Sequence, residues 1–529
     1  MQDIRSYMNS FTANTRPQYN TFINALKAET NFKTTENGAT ALKSTMSNLY
    51  DLFALGGAYR SRSESDCILL FKKAFEENPE YAVKCLTYLR DIEEGQGERR
   101  FFRVCLQWLG NNYPDVVRHN MRKWVEDNYI RWDDLFMLFG TKVETEMKQL
   151  ISNQLTADMK GAQKTNGAVS LLAKWMPSNN ASSANTVALA DKFIKAFNCT
   201  PRQYRKMLSG LRERIHVVER LMSQNRWNEI DFSHLPSRAG LIYRKAFERR
   251  EMIQEKYREF AKSDDKVNAG KLYPYDVVRE ARNVRATGWK EPALNDTQRL
   301  MVNKYWANLP NIFPENKNFN AMVVCDTSGS MTCGAKGNVT PIDVAVSLAI
   351  YAAEHANGPF KNHYISFSRR ADLIEVNGVD FCDKVWRIVR TNLCENTNLE
   401  SVFNLVLDTA MRSRLPQSAM PKTLIVISDM EVDAATNNYN ESDNSFMVPF
   451  METMRRKWKQ KCGNKYEFPN LVFWNVNARN DTFLDDPKSG VTYVSGCSPT
   501  LFTQVMTGVT GEQLMMDKLN SERYKNITL

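Results

Sequence analysis

The run Ala321-Met-Val-Val-Cys-Asp326-Thr-Ser328-Gly-Ser330-Met331 decides the fold of the C-terminal half of this chain. It reads as an apolar strand that ends in Asp-x-Ser-x-Ser, one carboxylate and two hydroxyls at alternate positions. In a loop leaving a strand, three hard oxygen donors spaced in this way can converge on one small divalent cation. Magnesium takes near-octahedral oxygen ligation and keeps several waters, so one or two carboxylates with neutral hydroxyls suit it better than they suit calcium or zinc. Such a shell leaves coordination positions open for a carboxylate from elsewhere. The competing reading is that Asp326 and Ser328 only cap the next helix, accepting from its free backbone amides.

Working outward, strands of four to eight residues alternate with helices, the pattern of a parallel sheet with helices on both faces. Strands are expected at Ala321–Cys325, His363–Phe367, Leu373–Val376, Thr423–Ile427, Leu471–Asn475 and Val491–Val494, and helices at Ile342–Asn357, Phe381–Arg390, Leu399–Arg412, Ser445–Cys462, Thr500–Thr507 and Glu512–Tyr524. Two further segments offer donors at strand or loop ends: Asn396-Thr397-Asn398-Leu399, and Leu424-Ile-Val-Ile-Ser428-Asp429-Met-Glu431. Ligands of open α/β sheets sit beyond the carboxyl ends of the strands, and all three donor segments fall there.

The order Asp-x-Ser-x-Ser, Thr, Asp over about a hundred residues resembles the metal-ion-dependent adhesion site of von Willebrand factor A domains. The resemblance implies a Rossmann-like α/β domain over residues 321–529. It also implies Asp326, Ser328 and Ser330 as ligands of Mg2+ or another divalent cation, with Thr397 and Asp429 as direct or water-bridged ones. Many members of that family carry Gly before the threonine, where this chain has Asn396.

The 529 residues exceed what one core normally organises, and 43% hydrophobic with 11% aromatic residues is ample for globular cores. The N-terminal sequence lacks the apolar stretch of a secretory signal, and no segment approaches the ~20 apolar residues of a membrane span. Ten cysteines are scattered singly without CxxC, which points to buried thiols in a reducing, cytoplasmic setting. From Phe319 onward 21 Lys and Arg face 23 Asp and Glu, a balance of −2, which leaves +12 of the net +10 on the preceding residues. A polyanion would therefore meet the N-terminal region.

That region reads as all-α. Four successive helices are expected at Ser65–Glu77, Glu80–Glu93, Glu98–Asn111 and Pro114–Asp127, a looped insertion at Met159–Ser183, and a linker near 311–320 that follows a helical domain over 41–310 and an N-terminal extension over 1–40. Short, closely joined helices pack antiparallel as in HEAT-like solenoids, although no fixed-period repeat is visible.

A helical solenoid joined to such a C-terminal domain resembles the TROVE proteins, the family of the Ro autoantigen. Tyr88-Leu-Arg90-Asp91-Ile-Glu-Glu-Gly95-Gln-Gly97-Glu98-Arg99 is similar to the turn between helices in TROVE-like chains. Leu235-Pro236-Ser237-Arg238, Asn268-Ala-Gly270-Lys-Leu-Tyr-Pro274 and Gly490-Val-Thr-Tyr-Val-Ser495-Gly496 are similar to motifs of a TROVE-related family found also in viruses. The resemblance implies a ring with a basic channel for single-stranded ends of non-coding RNA. Candidate RNA-binding residues are Arg99, Arg100, Arg103, Arg205, Arg212, Arg238, Arg244, Lys245, Arg249 and Arg250, where cations would neutralise phosphates and neighbouring aromatics would stack on bases. The same helices carry glutamates at ion-pairing spacing, so solvated faces are the plain alternative.

Five histidines show no HExxH spacing, and no GxxxxGK[ST] loop is present. The expected function is a non-catalytic RNA-binding protein holding a divalent metal. A metal-dependent protein interaction adaptor, with a partner carboxylate at the metal, and a virus-encoded assembly factor without RNA are the alternatives. The sequence leaves the RNA, the protein partner and the oligomeric state open.

Overall fold

A computed structural model describes residues 21–282, 294–313, 319–332, 339–391, 396–435, 448–506 and 509–529. A helical region precedes a domain built on a six-stranded sheet. The four expected N-terminal helices are present at Glu64–Glu77, Pro79–Arg90, Arg99–Asn112 and Pro114–Glu126. Their ends follow local chemistry. Ser63 and Asp66 form a reciprocal capping box, and Asn78 caps the next helix ahead of Pro79 at its first turn.

Within the N-terminal extension a helix, Thr21–Glu29, precedes an antiparallel hairpin of β1 (Phe32–Thr34) and β2 (Thr40–Leu42). One expectation for this region needs correction. The looped insertion is partly helical, because helix Glu144–Ala162 runs on through Met159, and Leu172–Trp175 forms one further turn. The chain doubles back where Gly161 and Gly167 meet; a Cβ on Gly167 would stand 2.0 Å from the Gly161 carbonyl oxygen.

All six expected strands of the C-terminal sheet form: β3 (Ala321–Asp326), β4 (His363–Phe367), β5 (Ala371–Glu375), β6 (Thr423–Ser428), β7 (Asn470–Asn475) and β8 (Val491–Ser495), in the spatial order β5-β4-β3-β6-β7-β8. The sheet is mixed rather than parallel, since β5 runs antiparallel to β4. Only residues 368–370 join these two strands, too few for the dozen or so a parallel crossover requires. Every residue of the central strand β3 is buried, and helix Pro341–His355 is buried from Pro341 to Ala353. This is why both read as continuous apolar runs.

Two of the contacts between the helical region and the sheet domain show how they are held together. Helix Asn48–Leu55 lies along β8, where the Tyr493 amide donates to the Tyr50 hydroxyl at 2.9 Å and the Gly57 amide donates to Ser495 Oγ at 3.0 Å. A Cβ at Gly57 would come within 2.6 Å of the Ser495 carbonyl oxygen, so this approach needs glycine. This contact also covers an edge strand that would otherwise offer unpaired amides. On the other side, helix Asp296–Ala307 meets helix Phe381–Thr391. Trp306 stacks on Phe381 with ring centroids 3.9 Å apart, and its indole N–H donates to Glu354 at 2.6 Å.

Eight cysteines are described, and all are free thiols; burial pushes the thiols of Cys85 and Cys105 far up. Cys333 and Cys394 lie outside the described residues. Among the described residues no helix is long and apolar enough to cross a membrane.

Candidate functional site

β3 and β6 are parallel neighbours in register, so the loops that leave them emerge side by side at the carboxyl end of the sheet. This places Asp326, Ser328 and Ser330 opposite Asp429. Asp326 is fully buried, and its two oxygens point different ways: Oδ1 accepts from the Ser328 amide at 2.9 Å, and Oδ2 accepts from Ser428 Oγ at 2.5 Å. Ser328 Oγ and Ser330 Oγ stand 3.0 Å apart.

Asp429 is also fully buried. The following residue, Met430, adopts φ +67, a conformation that is costly for a side chain with a Cβ and concentrates at functional sites. That twist brings the Glu431 amide to Asp429 Oδ1 at 3.3 Å. Asp429 Oδ2 accepts no hydrogen bond. It faces Arg479 Nη2 at 3.1 Å without hydrogen-bond alignment.

Thr397 joins from a third loop. It is buried, its carbonyl accepts from the Asp433 amide at 2.9 Å, and its hydroxyl oxygen accepts from Asn37 Nδ2 at 3.3 Å. The five sequence-predicted donors thus lie on three loops tied to one another at one end of the sheet. Asn396, at the position of the family's glycine, is exposed beside Thr397.

Electrostatics set this cluster apart. Burial, and then the Asp429 charge, push the Asp326 carboxyl up to about 7. Burial likewise raises Asp429, against the pull of Arg479. Two buried carboxylates that share a pocket with hydroxyl oxygens are stabilised by a cation and resist ionising together without one. The Asp429 oxygen that accepts no hydrogen bond and faces Arg479, together with the all-oxygen donor set, fits a hard divalent ion. Among the described residues no three His, Cys, Asp or Glu side chains gather as a metal cluster; the two carboxylates and three hydroxyls suit magnesium better than zinc.

Sequence reasoning missed Ser428, Arg479, Glu36 and Asn37. Arg479 follows the carboxyl end of β7, so its placement was legible from the strand pattern. Asn37-Gly38, a common hairpin turn pair, marks the β1–β2 turn, but nothing local says that it reaches Thr397, 360 residues away.

The candidate RNA-binding cations lie on three helices, with Arg250 just past the end of the third, and the structure engages many of them internally. Arg103 bonds Asp134 at 2.5 Å and Asp133 at 2.6 Å, and Arg99 lies 3.9 Å from Asp133. Arg100 points to Cys67 Sγ at 3.6 Å. Arg212 donates to the carbonyls of Ala173 and Met176 and to Ser178 Oγ. Arg238 pairs with Asp276 and Arg244 with Glu280. Lys245 is half-buried and its carbonyl accepts from Arg249 Nε at 3.0 Å. Arg205, Arg249 and Arg250 are exposed, and the Arg250 guanidinium lies 5.2 Å from the Trp227 ring centre.

Three clefts run into one another across this face. A cleft of ≈ 560 Å³ beside Arg103 and Lys192 shares Trp175 and Pro177 with one of ≈ 710 Å³ that holds Arg205 and Arg212. The latter shares Glu219 and Ser223 with a third, also ≈ 710 Å³, bordered by Arg249 and Arg250. The basic run Arg455 to Lys461 is different: Arg455, Arg456, Lys457 and Lys461 pair with Asp485, Glu452, Glu400 and Asp408.

Comparison with known proteins divides the chain at the same junction between helices and sheet. Residues 320–526 match the Domain of unknown function DUF7788. Across nearly its whole length the chain is similar to the Uncharacterized protein L728 of Acanthamoeba polyphaga mimivirus, 29% identical over 509 residues that cover 90% of this chain and 85% of that protein. Residues 35–146 and 138–312, together more than half of the chain, match a second model, and the chain therefore belongs to the family of the Domain of unknown function DUF2828.

Proposed function

We propose that this chain is a non-catalytic binding protein whose C-terminal domain, of von Willebrand factor A type, uses a divalent cation to hold a carboxylate ligand. The observation that carries the reading is the buried Asp326–Asp429 pair, with an Asp429 oxygen that accepts no hydrogen bond, set among the hydroxyls of Ser328, Ser330 and Thr397. Asp326, Ser328, Ser330, Thr397 and Asp429 would hold the ion, which when bound supplies positive charge and an open coordination position. The chain's own residues do the rest. Ser428 and the Ser328 amide fix the Asp326 carboxylate, and Met430 turns the loop that presents Asp429. Isothermal calorimetry with Mg2+ tests this. Wild type binds one equivalent, and Asp326→Asn, whose amide oxygen still accepts from the Ser328 amide while its NH2 can only donate towards Ser428 Oγ, weakens binding by at least about tenfold, or about 1.4 kcal/mol. Equal Mg2+ affinity in the two proteins excludes the site.

A second reading, RNA binding by the helical region, is favoured by the three merging clefts and their exposed cations Arg205, Arg249 and Arg250. Trp175 lies half-buried between two of them, with the Arg131 guanidinium 3.9 Å from its ring centre. A single strand laid along this face would meet phosphate-binding cations and aromatic surface together. The contacts of the helical region with opposite sides of the sheet domain also support the ring of the Ro type. Under this reading, reversing Arg249 and Arg250 to Glu weakens binding of a single-stranded RNA. Each lost phosphate contact lowers the salt slope by about 1. An unaltered slope removes RNA from this face.

A further inference from the structure

The β1–β2 hairpin ends in the turn Thr35-Glu36-Asn37-Gly38, and this turn sits on the loops that carry the candidate cation ligands. Asn37 Nδ2 donates to the Glu431 carbonyl at 2.6 Å and to Thr397 Oγ1 at 3.3 Å, so it holds one of the proposed ligand oxygens directly. Thr35 Oγ1 donates to the Val432 carbonyl at 2.7 Å, the Ala434 amide donates to the Asn37 carbonyl at 3.1 Å, and Gly38 bridges to Asp433 in antiparallel fashion. The Glu36 amide donates to the Glu431 carboxylate at 2.8 Å.

Charge ties the turn to the centre of the cluster. Arg479 spans two carboxylates, with Nη1 2.7 Å from Glu36 and Nη2 3.1 Å from Asp429. Asn480 Nδ2 adds a bond to the other Glu36 oxygen at 3.1 Å. Glu36 is therefore an acidic side chain linked through one guanidinium to the Asp429 carboxylate.

The cover is thin. Glu36, Asn37 and Gly38 are exposed on their outer side, and each strand of the hairpin has only three residues. Its turn is held mainly by polar contacts, while the apolar anchors Ala39, Ala41 and Leu42 of the hairpin lie beyond the turn. Such an element can lift without unfolding the sheet beneath it.

We propose that the hairpin Phe32–Leu42 is an internal lid on the cation site, with Thr35, Glu36 and Asn37 as its catch, so that an external carboxylate reaches the cation only after the turn lifts. This rests on the cation-binding reading above. The lid restricts access by covering Thr397, and Glu36 fastens it through Arg479, which also faces Asp429.

The test uses the full chain with Mn2+ alone, reading water-proton relaxation per bound ion and amide hydrogen exchange over residues 32–42. In wild type the covered ion exchanges few waters with bulk, and the turn amides are protected. Thr35→Ala with Asn37→Ala raises both amide exchange and relaxation per bound Mn2+ severalfold at unchanged stoichiometry. Glu36→Gln, at an exposed position that leaves the fold intact, shifts both in the same direction by less. Faster amide exchange with unchanged relaxation overturns the lid and leaves the cation site standing. Amide exchange unchanged in both variants overturns the catch. Absence of Mn2+ binding in wild type removes the cation reading, and the lid with it.

Discussion

Asp326 serves two hydrogen bonds and one electrostatic conflict. It is fully buried beside Asp429, and both carboxyls are pushed up by burial. Asp326→Asn removes one buried charge from that conflict, so without a divalent ion the variant should melt no lower than wild type. Added Mg2+ should raise the melting temperature of wild type only, because a ligand stabilises only the state that binds it; thermal melts with and without the ion check this. Asp-x-Ser-x-Ser made these residues legible in the sequence because alternation in a short loop forces the donors together. Ser428 was not legible as a partner of Asp326, because their pairing depends on the register of β3 against β6.

At the scale of elements, the turn Asp91 to Glu98 and the helices around it are locked by buried charge. Asp134 is buried and bonds Arg90 at 2.7 Å and Arg103 at 2.5 Å. Burial pushes its carboxyl up, but the two guanidiniums together hold it below the usual range. Arg90 is itself almost completely buried, so removing its partner strands a cation in the core. Asp134→Asn should cost about 3–5 kcal/mol of unfolding free energy, measured by urea titration, whereas reversing the exposed Arg249 and Arg250 should change stability little. Helix positions were readable from 3.6-residue spacing and caps. Which arginines of those helices face solvent was not, since Arg103, Arg212 and Arg244 carry the same local signature as Arg249 yet turn towards acids and carbonyls of distant segments. The β1–β2 hairpin escaped for a related reason: three-residue strands carry little alternation, and only the sheet loops beneath give them a partner.

In the whole molecule, Asp380 joins the helical region to the sheet domain. Arg299 grips it with two bonds at 2.6 and 2.8 Å, and Asn303 adds a third at 2.9 Å. Burial pushes Asp380 up, but these donors outweigh it and hold the carboxyl down at about 2. A depressed carboxyl contributes stability that is complete above its unfolded value, about 3.9, and is lost as pH falls towards 2. Wild type should therefore lose stability over that window more steeply than Asp380→Asn, which has already lost the charge; denaturant titrations at several pH values measure the difference. The clasp is partly exposed, so salt should shrink the effect. The sequence by itself determined the alternation of buried strands and helices, the helical N-terminal half and the donor triplet at the end of β3, because periodicity and short-range spacing act within a few residues. Tertiary structure alone decided that β5 runs against β4, that many of the basic side chains are spent on internal bonds, and that a hairpin near residue 37 packs on Thr397 and the loop that follows Asp429. Those outcomes depend on which surfaces meet after collapse, and contacts between segments hundreds of residues apart leave no local pattern to read.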